Sequence, residues 1–436
     1  MSDAGNPPEI GAGAGQEIPA LSCAASGRSR LRRLEDRIFT EQQLRFYGTG
    51  VVVGLIIAAV LCWARPLGHW LVVPGGKLGS IDFCWIWVSG KFAVSSHPAG
   101  IYDDSAFAAA QRLFYPKRCP FIAHFDYPPT SLMLTWALGF MPYLPAYAVW
   151  MTATFLLYES AVFSVIPRLA ALIAAIASPA VLKNLQYGHN GFLTAGLIGM
   201  SLMLLERRPW ASAVFLALLT YKPQFGVLFP LALLASRNWR AFAAATTATL
   251  ALGVAAAMAF GFRTWPSFLF SLPGRDAGLS PDKEIQLWLE SVYGLLHWAG
   301  AGARLAWTVH LSVALGAALA VCAVWAKPIP HSVKAATLCI ASLLVSPYAL
   351  PYDLCILSIA AAFLIKDGLA RGFFPGERTI VLSCLVLLYC PLAPLGPVVC
   401  VVLLWLVFRR VVRVGGPELP RLPSENFSET TAVVGD

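Results

Sequence analysis

Charge is scarce in this chain. Of 436 residues only 13% are Asp, Glu, Lys or Arg, against roughly 25% in soluble domains. With 58% hydrophobic residues and a mean hydropathy of +0.66, the chain cannot coat a water-facing surface with polar groups. The usual metal and nucleotide signatures are missing too. The ten cysteines form no CxxC pair and the seven histidines have no ligand spacing, so no metal site is expected. There is no GxxxxGK[ST], HExxH or GxSxG motif, which leaves out the P-loop, zincin and α/β-hydrolase chemistries. No cofactor is expected. Nor is there an inverted repeat of the kind many transporters carry. Most cysteines lie inside hydrophobic runs and read as small apolar residues. Cys84 and Cys119 share one loop, where an oxidising space would permit a disulfide.

What is present is a series of apolar runs. They begin with 47–63, 130–141, 146–166, 169–182, 191–205, 211–234 and 242–260, and continue with 305–325, 333–345, 354–365, 380–392 and 397–408. Their lengths point to an all-α polytopic membrane protein of about twelve transmembrane helices. Residues 1–45 read as a disordered, basic cytoplasmic segment and 46–413 as the membrane body. Within the body, 66–127 and 263–304 are two outer loops, and 414–436 is a disordered cytoplasmic tail. The net charge of +9 comes largely from arginines flanking the runs. Arg28, Arg30, Arg32, Arg33, Arg37 and Arg45 precede the first, while Arg207, Arg208, Arg237, Arg240, Arg409 and Arg410 close others. That is the positive-inside pattern and points to a lipid bilayer rather than to nucleic acid. Short surface-lying helices are expected near Asp82, from Asp104-Ser105, where an Asp-Ser pair suits a cap, and over 284–289.

The first loop and Gly188 should face the same side, yet three apolar runs separate them. One, 130–141 or its neighbour, is therefore expected not to cross fully; such backbone is tolerated where protein covers it.

The polar residues near this outer side admit two readings each. Asp82, in Gly79-Ser80-Ile81-Asp82-Phe83-Cys84-Trp85-Ile86-Trp87, is either a helix N-cap or a general base, and one residue can be both. Asp103 and Asp104 read as caps. Asp126 and Tyr127 precede Pro128-Pro129, which stiffens a helix start; Asp126 is a structural or a substrate residue. His189 and Asn190 form a polar patch between apolar runs, as substrate donors or as satisfied interfacial groups. Lys222, inside an apolar run and followed by the helix breaker Pro223, fits an anion site; the alternative is a snorkelling lysine. Tyr352 and Asp353 open another run, with Asp353 a cap or a sugar ligand. Glu159 lies inside a run, where a hydrogen bond within the bundle is expected.

Asp82-Phe83 with Trp87, Gly100-Ile101-Tyr102-Asp103, Phe125-Asp126-Tyr127-Pro128-Pro129, Gly188-His189-Asn190, Lys222-Pro223-Gln224 and Ser346-Pro347 stand in one order. This arrangement resembles glycosyltransferase family 87, the polyprenol-phosphate-mannose-dependent α-1,2-mannosyltransferase-like proteins of the C-type membrane glycosyltransferase fold. The resemblance implies an inner-membrane enzyme with its active site on the periplasmic or outer side. It implies a polyprenyl-phosphate-linked sugar donor and a glycolipid or glycan acceptor. Asp82 matches the family's catalytic aspartate and would deprotonate the acceptor hydroxyl for a single inverting displacement. Lys222, His189, Asn190, Tyr127, Asp126, Tyr352 and Asp353 would serve substrates. The chain departs from the family at Gly188-His189, where members often have Gly-Gln, and at Tyr352-Asp353, where many carry a histidine pair for the donor phosphate.

Two rival readings remain. A transporter or flippase of lipid-linked sugars predicts internal repeats and discontinuous helices around a midplane site. A polysaccharide ligase using a polyprenyl diphosphate predicts clustered outer-loop arginines; Arg263, Arg275 and Arg304 are instead spread out.

Overall fold

The computed structural model describes residues 30–63, 81–114, 124–272, 289–390 and 392–414. Among them there is helix and no strand. The described helices are α1 (30–38), α2 (Glu41–Trp63), α3 (Ile81–Ala93), α4 (Asp104–Phe114), α5 (Leu132–Thr135), α6 (Tyr143–Val165) and α7 (Leu169–Ile176). Next come α8 (Pro179–Tyr187), α9 (Gly191–Leu204), α10 (Pro209–Leu219), α11 (Leu228–Ala235), α12 (Trp239–Phe260) and α13 (Thr264–Ser271). The last are α14 (Val292–Trp298), α15 (Ala303–Trp325), α16 (His331–Val345), α17 (Cys355–Arg371), α18 (Glu377–Leu387) and α19 (Gly396–Val414).

Among the described residues, α6, α12 and α15 are long and apolar enough to cross a bilayer alone. The pair α7 and α8 passes the same test as one element bent by 57°. The apolar α9, α10 and α16 are shorter. They are short because each stops at irregular backbone on one level: 188–190, 220–227 and 346–354. The chain is thus membrane-spanning and, among the described residues, all-helical. The apolar run 211–234 breaks at Pro223 as expected, into α10, a 3₁₀ turn Pro223–Phe225 and α11, because proline cannot donate to the preceding turn.

Two polar ends organise the molecule. At one, α9 begins, α10 and α16 end and α17 begins, around Asn190, Lys222 and Asp353. Helix α17 has 17 residues and so runs about 25 Å to the other end. There buried Arg410 pairs with Glu377 at 2.6 Å and with Asp367, and Arg371 pairs with Asp367 at 2.6 Å. Helix α1 joins this second end. Glu35 is buried and accepts bonds from the amides of Gly376 (2.9 Å) and Thr379 (3.1 Å) at the start of α18, a carboxylate at a helix N-terminus. Within the segment expected to be disordered, residues 30–38 form α1, whose Glu35 takes donors from the start of α18. The expected surface helix over 284–289 lies almost wholly outside the described residues.

The run 130–141 is not a continuous α-helix. It forms a 3₁₀ turn Pro129–Ser131, the single turn α5, and a second 3₁₀ stretch Trp136–Phe140. Helix α3 lies across it at backbone contact: a Cβ on Gly139 would sit 2.2 Å from Gly90 O, so only glycine fits. Lys91 Nζ donates to Gly139 O at 2.7 Å, and Ser89 Oγ to Thr135 Oγ1 at 3.0 Å. On the other flank Phe83 meets Tyr143 and Tyr147 edge-on at 5.1 and 5.2 Å. The α4 start is capped as expected: Asp103 Oδ1 accepts from Ser105 N and Ala106 N, both at 2.9 Å. Its bond from the Ser105 hydroxyl holds this carboxyl below the usual range.

Candidate active site

Tyr127, Asn190, Lys222 and Asp353 come from four separated stretches and meet in one hydrogen-bonded chain. Each is placed by local backbone chemistry. Gly188 closes α8 in the left-handed region, φ 66°, the usual glycine stop. That turn presents Asn190 at the start of α9. Gly191 follows because a Cβ there would sit 2.2 Å from Tyr352 O; the turns 188–191 and 352–353 lie against each other. Lys222 precedes the Pro223 turn that interrupts its helix.

Lys222 Nζ donates to Asp353 Oδ1 at 2.6 Å and to Asn190 Oδ1 at 3.2 Å. Asn190 Nδ2 donates to Tyr127 OH at 3.0 Å. The second Asp353 oxygen accepts from Leu350 N at 3.1 Å. Lys222 is 3% exposed and Asp353 0%, so these are charges removed from water, tolerable only when paired. Burial pushes the Asp353 carboxyl up, while the Lys222 ammonium and the Leu350 amide oppose that. We take the pair as ionised, because an ammonium at 2.6 Å favours the carboxylate.

Aromatic rings wall the pair. Lys222 Nζ lies 5.1 Å from the ring centres of both Phe225 and Tyr352. The His189 ring stacks on Tyr352 at 4.1 Å and 14°. His189 Nδ1 accepts from Asn190 N at 2.8 Å, which requires a lone pair there and so a neutral ring with its proton on Nε2. Burial first, then the charge of Lys222, lowers the His189 pKa well below its ordinary value. Any donation from His189 to a substrate oxygen thus has to come from Nε2.

Sequence reading missed Tyr221 and Thr194. Tyr221 stacks on Tyr127 at 6.0 Å, shares a 2.5 Å bond with Thr194 Oγ1 and donates to Asn190 O at 3.3 Å. Their signal was positional: Tyr221 adjoins Lys222, and Thr194 is one helical turn beyond Asn190.

Beside this chain is a cavity of about 20 Å³ lined by Ile86, Ser89, Phe125, Tyr127, Ser131, Leu134, Thr135, Trp150, Asn190 and Tyr221. That volume suits one water and not a sugar ring. Asp82 is the second residue of α3, and its side chain lies outside the described residues. In helical register it precedes Ile86 by four residues and Ser89 by seven, on one face. Asp126 is exposed rather than enclosed with Lys222. Its charge is felt instead by Tyr348, whose pKa is pushed up to about 12 chiefly by burial and next by Asp126. Since Tyr127 reaches Asn190, the end of the first loop and the 188–190 turn stand at one end of the molecule. Among the described residues no three His, Cys, Asp or Glu side chains are grouped to hold a metal ion. Cys84 is buried, and Cys119 lies outside the described residues.

The family model for glycosyltransferase family 87 matches residues 125–347. That segment contains Asp126, Tyr127, His189, Asn190 and Lys222, and leaves Asp82, Tyr352 and Asp353 outside it. No curated protein and no solved structure matches the chain.

Proposed function

This chain belongs to glycosyltransferase family 87, and on that footing we propose that it moves a hexose, mannose by default, from a polyprenyl-phosphate donor to a hydroxyl of a glycolipid or glycan. The reaction is one inverting displacement. The acceptor oxygen attacks the anomeric carbon as its proton passes to Asp82. The bond from that carbon to the phosphate oxygen breaks, and polyprenyl phosphate departs with the electron pair. A carboxylate suits this task because the acceptor proton becomes acidic only as the new bond forms.

The observation that carries the reading is the shared cavity. Ile86 and Ser89, on the helix face that also bears position 82, line it together with Tyr127, Asn190 and Tyr221, and Asn190 is bonded to Lys222. On this reading the helix that bears position 82 and the hydrogen-bonded chain that ends on Lys222 serve one reaction. A leaving phosphate gains charge and needs fixed donors. Lys222 supplies an ammonium and His189 an Nε2–H. Asp353 already holds Lys222, so a phosphate reaching that ammonium competes with Asp353. Donor binding and opening of this pair are thereby coupled, which also accounts for a resting cavity smaller than a sugar. Tyr352, stacked on His189, fixes that ring; Tyr127 and Asn190 orient the sugar hydroxyls; Asp126, exposed near Tyr348, faces the acceptor.

The same reading takes the body as a C-type glycosyltransferase fold of about twelve spans. Short interior helices complete that number where they cross only part of the bilayer. It sets the protein in the inner membrane with this site outward and both chain ends in the cytoplasm, following the arginine distribution.

The test is a panel of polyprenyl-phosphate sugars offered to purified protein with a glycolipid acceptor. The expected result is release of polyprenyl phosphate in step with glycosylated acceptor. Sugar lipid that changes leaflet in vesicles while no polyprenyl phosphate is released would favour a flippase instead.

A further inference from the structure

At the end of the molecule opposite Lys222, two neighbouring arginines have different fates. Arg410 is 1% exposed and bonded through both sides of its guanidinium to Glu377, at 2.7 and 2.6 Å, and to Asp367. Arg409 has no ion pair among the described residues. Its guanidinium lies instead over two rings, 4.5 Å from Phe374 and 4.7 Å from Trp405. Arg413 lies 4.9 Å from the same Phe374 ring and donates to Gly372 O at 3.3 Å; it too has no ion pair among the described residues.

Arg409 lines an open groove of about 380 Å³ together with Phe374, Trp405, Phe408 and Val412, and Arg413 lies over the Phe374 ring that forms one wall of it. The volume lies within the range of small-ligand sites, roughly 300–1,000 Å³. Positions 405, 408, 409 and 412 form one stripe on α19. Trp405, Phe408 and Val412 are exposed, so the groove opens sideways, away from the bundle. Nearby, α1 carries Arg30, Arg32, Arg33 and Arg37 between exposed Leu31, Leu34 and Ile38. Glu35 pins it beside this groove through Gly376 and Thr379.

We infer that this groove is a binding site for one anionic phospholipid. Its acyl chain lies along Trp405, Phe408 and Val412, and its phosphate meets Arg409 and Arg413. Charge complementarity selects the occupant. Two cations without carboxylate partners sit at the mouth of an apolar wall that continues the surface of a membrane helix. A zwitterionic lipid brings a compensating ammonium, and a free phosphate has no use for the wall. Stacking on Phe374 and Trp405 holds the Arg409 guanidinium in place before a lipid arrives. The site is independent of the transfer chemistry proposed above.

The test is a titration of the purified full chain in mixed micelles with phosphatidylglycerol or phosphatidylcholine brominated in the acyl chains. The readout is the quenching contributed by Trp405, taken as the difference between the unaltered protein and Trp405→Phe. Phosphatidylglycerol should bind roughly tenfold or more tightly than phosphatidylcholine, since each basic residue near an anionic headgroup contributes about 1 kcal/mol. The preference should vanish in Arg409→Gln/Arg413→Gln. Val412→Phe, at an exposed position that keeps both arginines and adds no tryptophan, should fill the groove and weaken quenching by both lipids. Equal affinity for the two lipids, preference retained in the double variant, or displacement of phosphatidylglycerol by millimolar inorganic phosphate alone would each overturn the assignment.

Discussion

A lysine in the middle of an apolar run demands a partner, and Asp353 supplies it across 131 residues of sequence. The cost of Lys222 was legible from its neighbours; its partner was not, because Asp353 reads equally well as a helix cap. Removing one member leaves an unpaired buried charge, which typically costs about 3–5 kcal/mol. Asp353→Asn should therefore lower the melting temperature of the purified protein clearly. Replacing both partners, as Lys222→Met/Asp353→Leu, should restore most of that stability, since an apolar pair of like volume is often neutral. It should leave transfer activity abolished, because no cation is left for the donor phosphate. An active double variant would show the pair to be purely structural.

A second carboxylate reports on the same loops. Glu290 accepts from Gly396 N at 2.8 Å, and its own amide donates to Ala349 O at 2.7 Å, tying the second loop to the 346–353 turn. Burial raises its pKa to about 7. The folded protein thus holds this proton at pH values where the unfolded chain, with an ordinary pKa of 4.5, has lost it. Stability from this group is present below about pH 4.5 and declines as pH rises to about 7. Thermal melts across that window should fall with rising pH, and Glu290→Gln should flatten the slope. An unchanged slope in the variant would remove Glu290 as its source. Nothing in the sequence singled this residue out, since it borders an apolar run like many surface acids.

At the scale of elements, the break at Pro223 and the cap at Asp103 were readable because each follows from one residue type at one position. The collapse of 130–141 into short turns was readable only as a counting problem. Its cause is α3 lying across it, with Gly90 and Gly139 in backbone contact, and nothing local to 130–141 announces that neighbour. Gly139→Ala should consequently push α3 away. The expected result is a lower melting temperature, by roughly 1–3 kcal/mol of overpacking, together with a drop in turnover larger than the drop in donor affinity. Wild-type turnover in that variant would mean that the position of α3 does not matter to catalysis.

For the whole molecule, composition alone dictated the membrane and the helices. The number of full-length helices was less legible, because interior helices stop early at the level of the Lys222 pair and irregular backbone completes their path. The structured α1 was missed for a similar reason: Glu35 is buried only because the start of α18, some 340 residues later, offers it two amides. Two polar ends stand apart by the length of α17, and the proposed function takes the Lys222 end as the catalytic one. The claim on which this picture turns is that the acid at the head of α3 takes the acceptor proton. Its most direct measurement is the transfer rate of purified Asp82→Asn beside its affinity for the lipid donor. The account predicts a rate lost by at least about a hundredfold with donor affinity kept; turnover at the unaltered rate would contradict it.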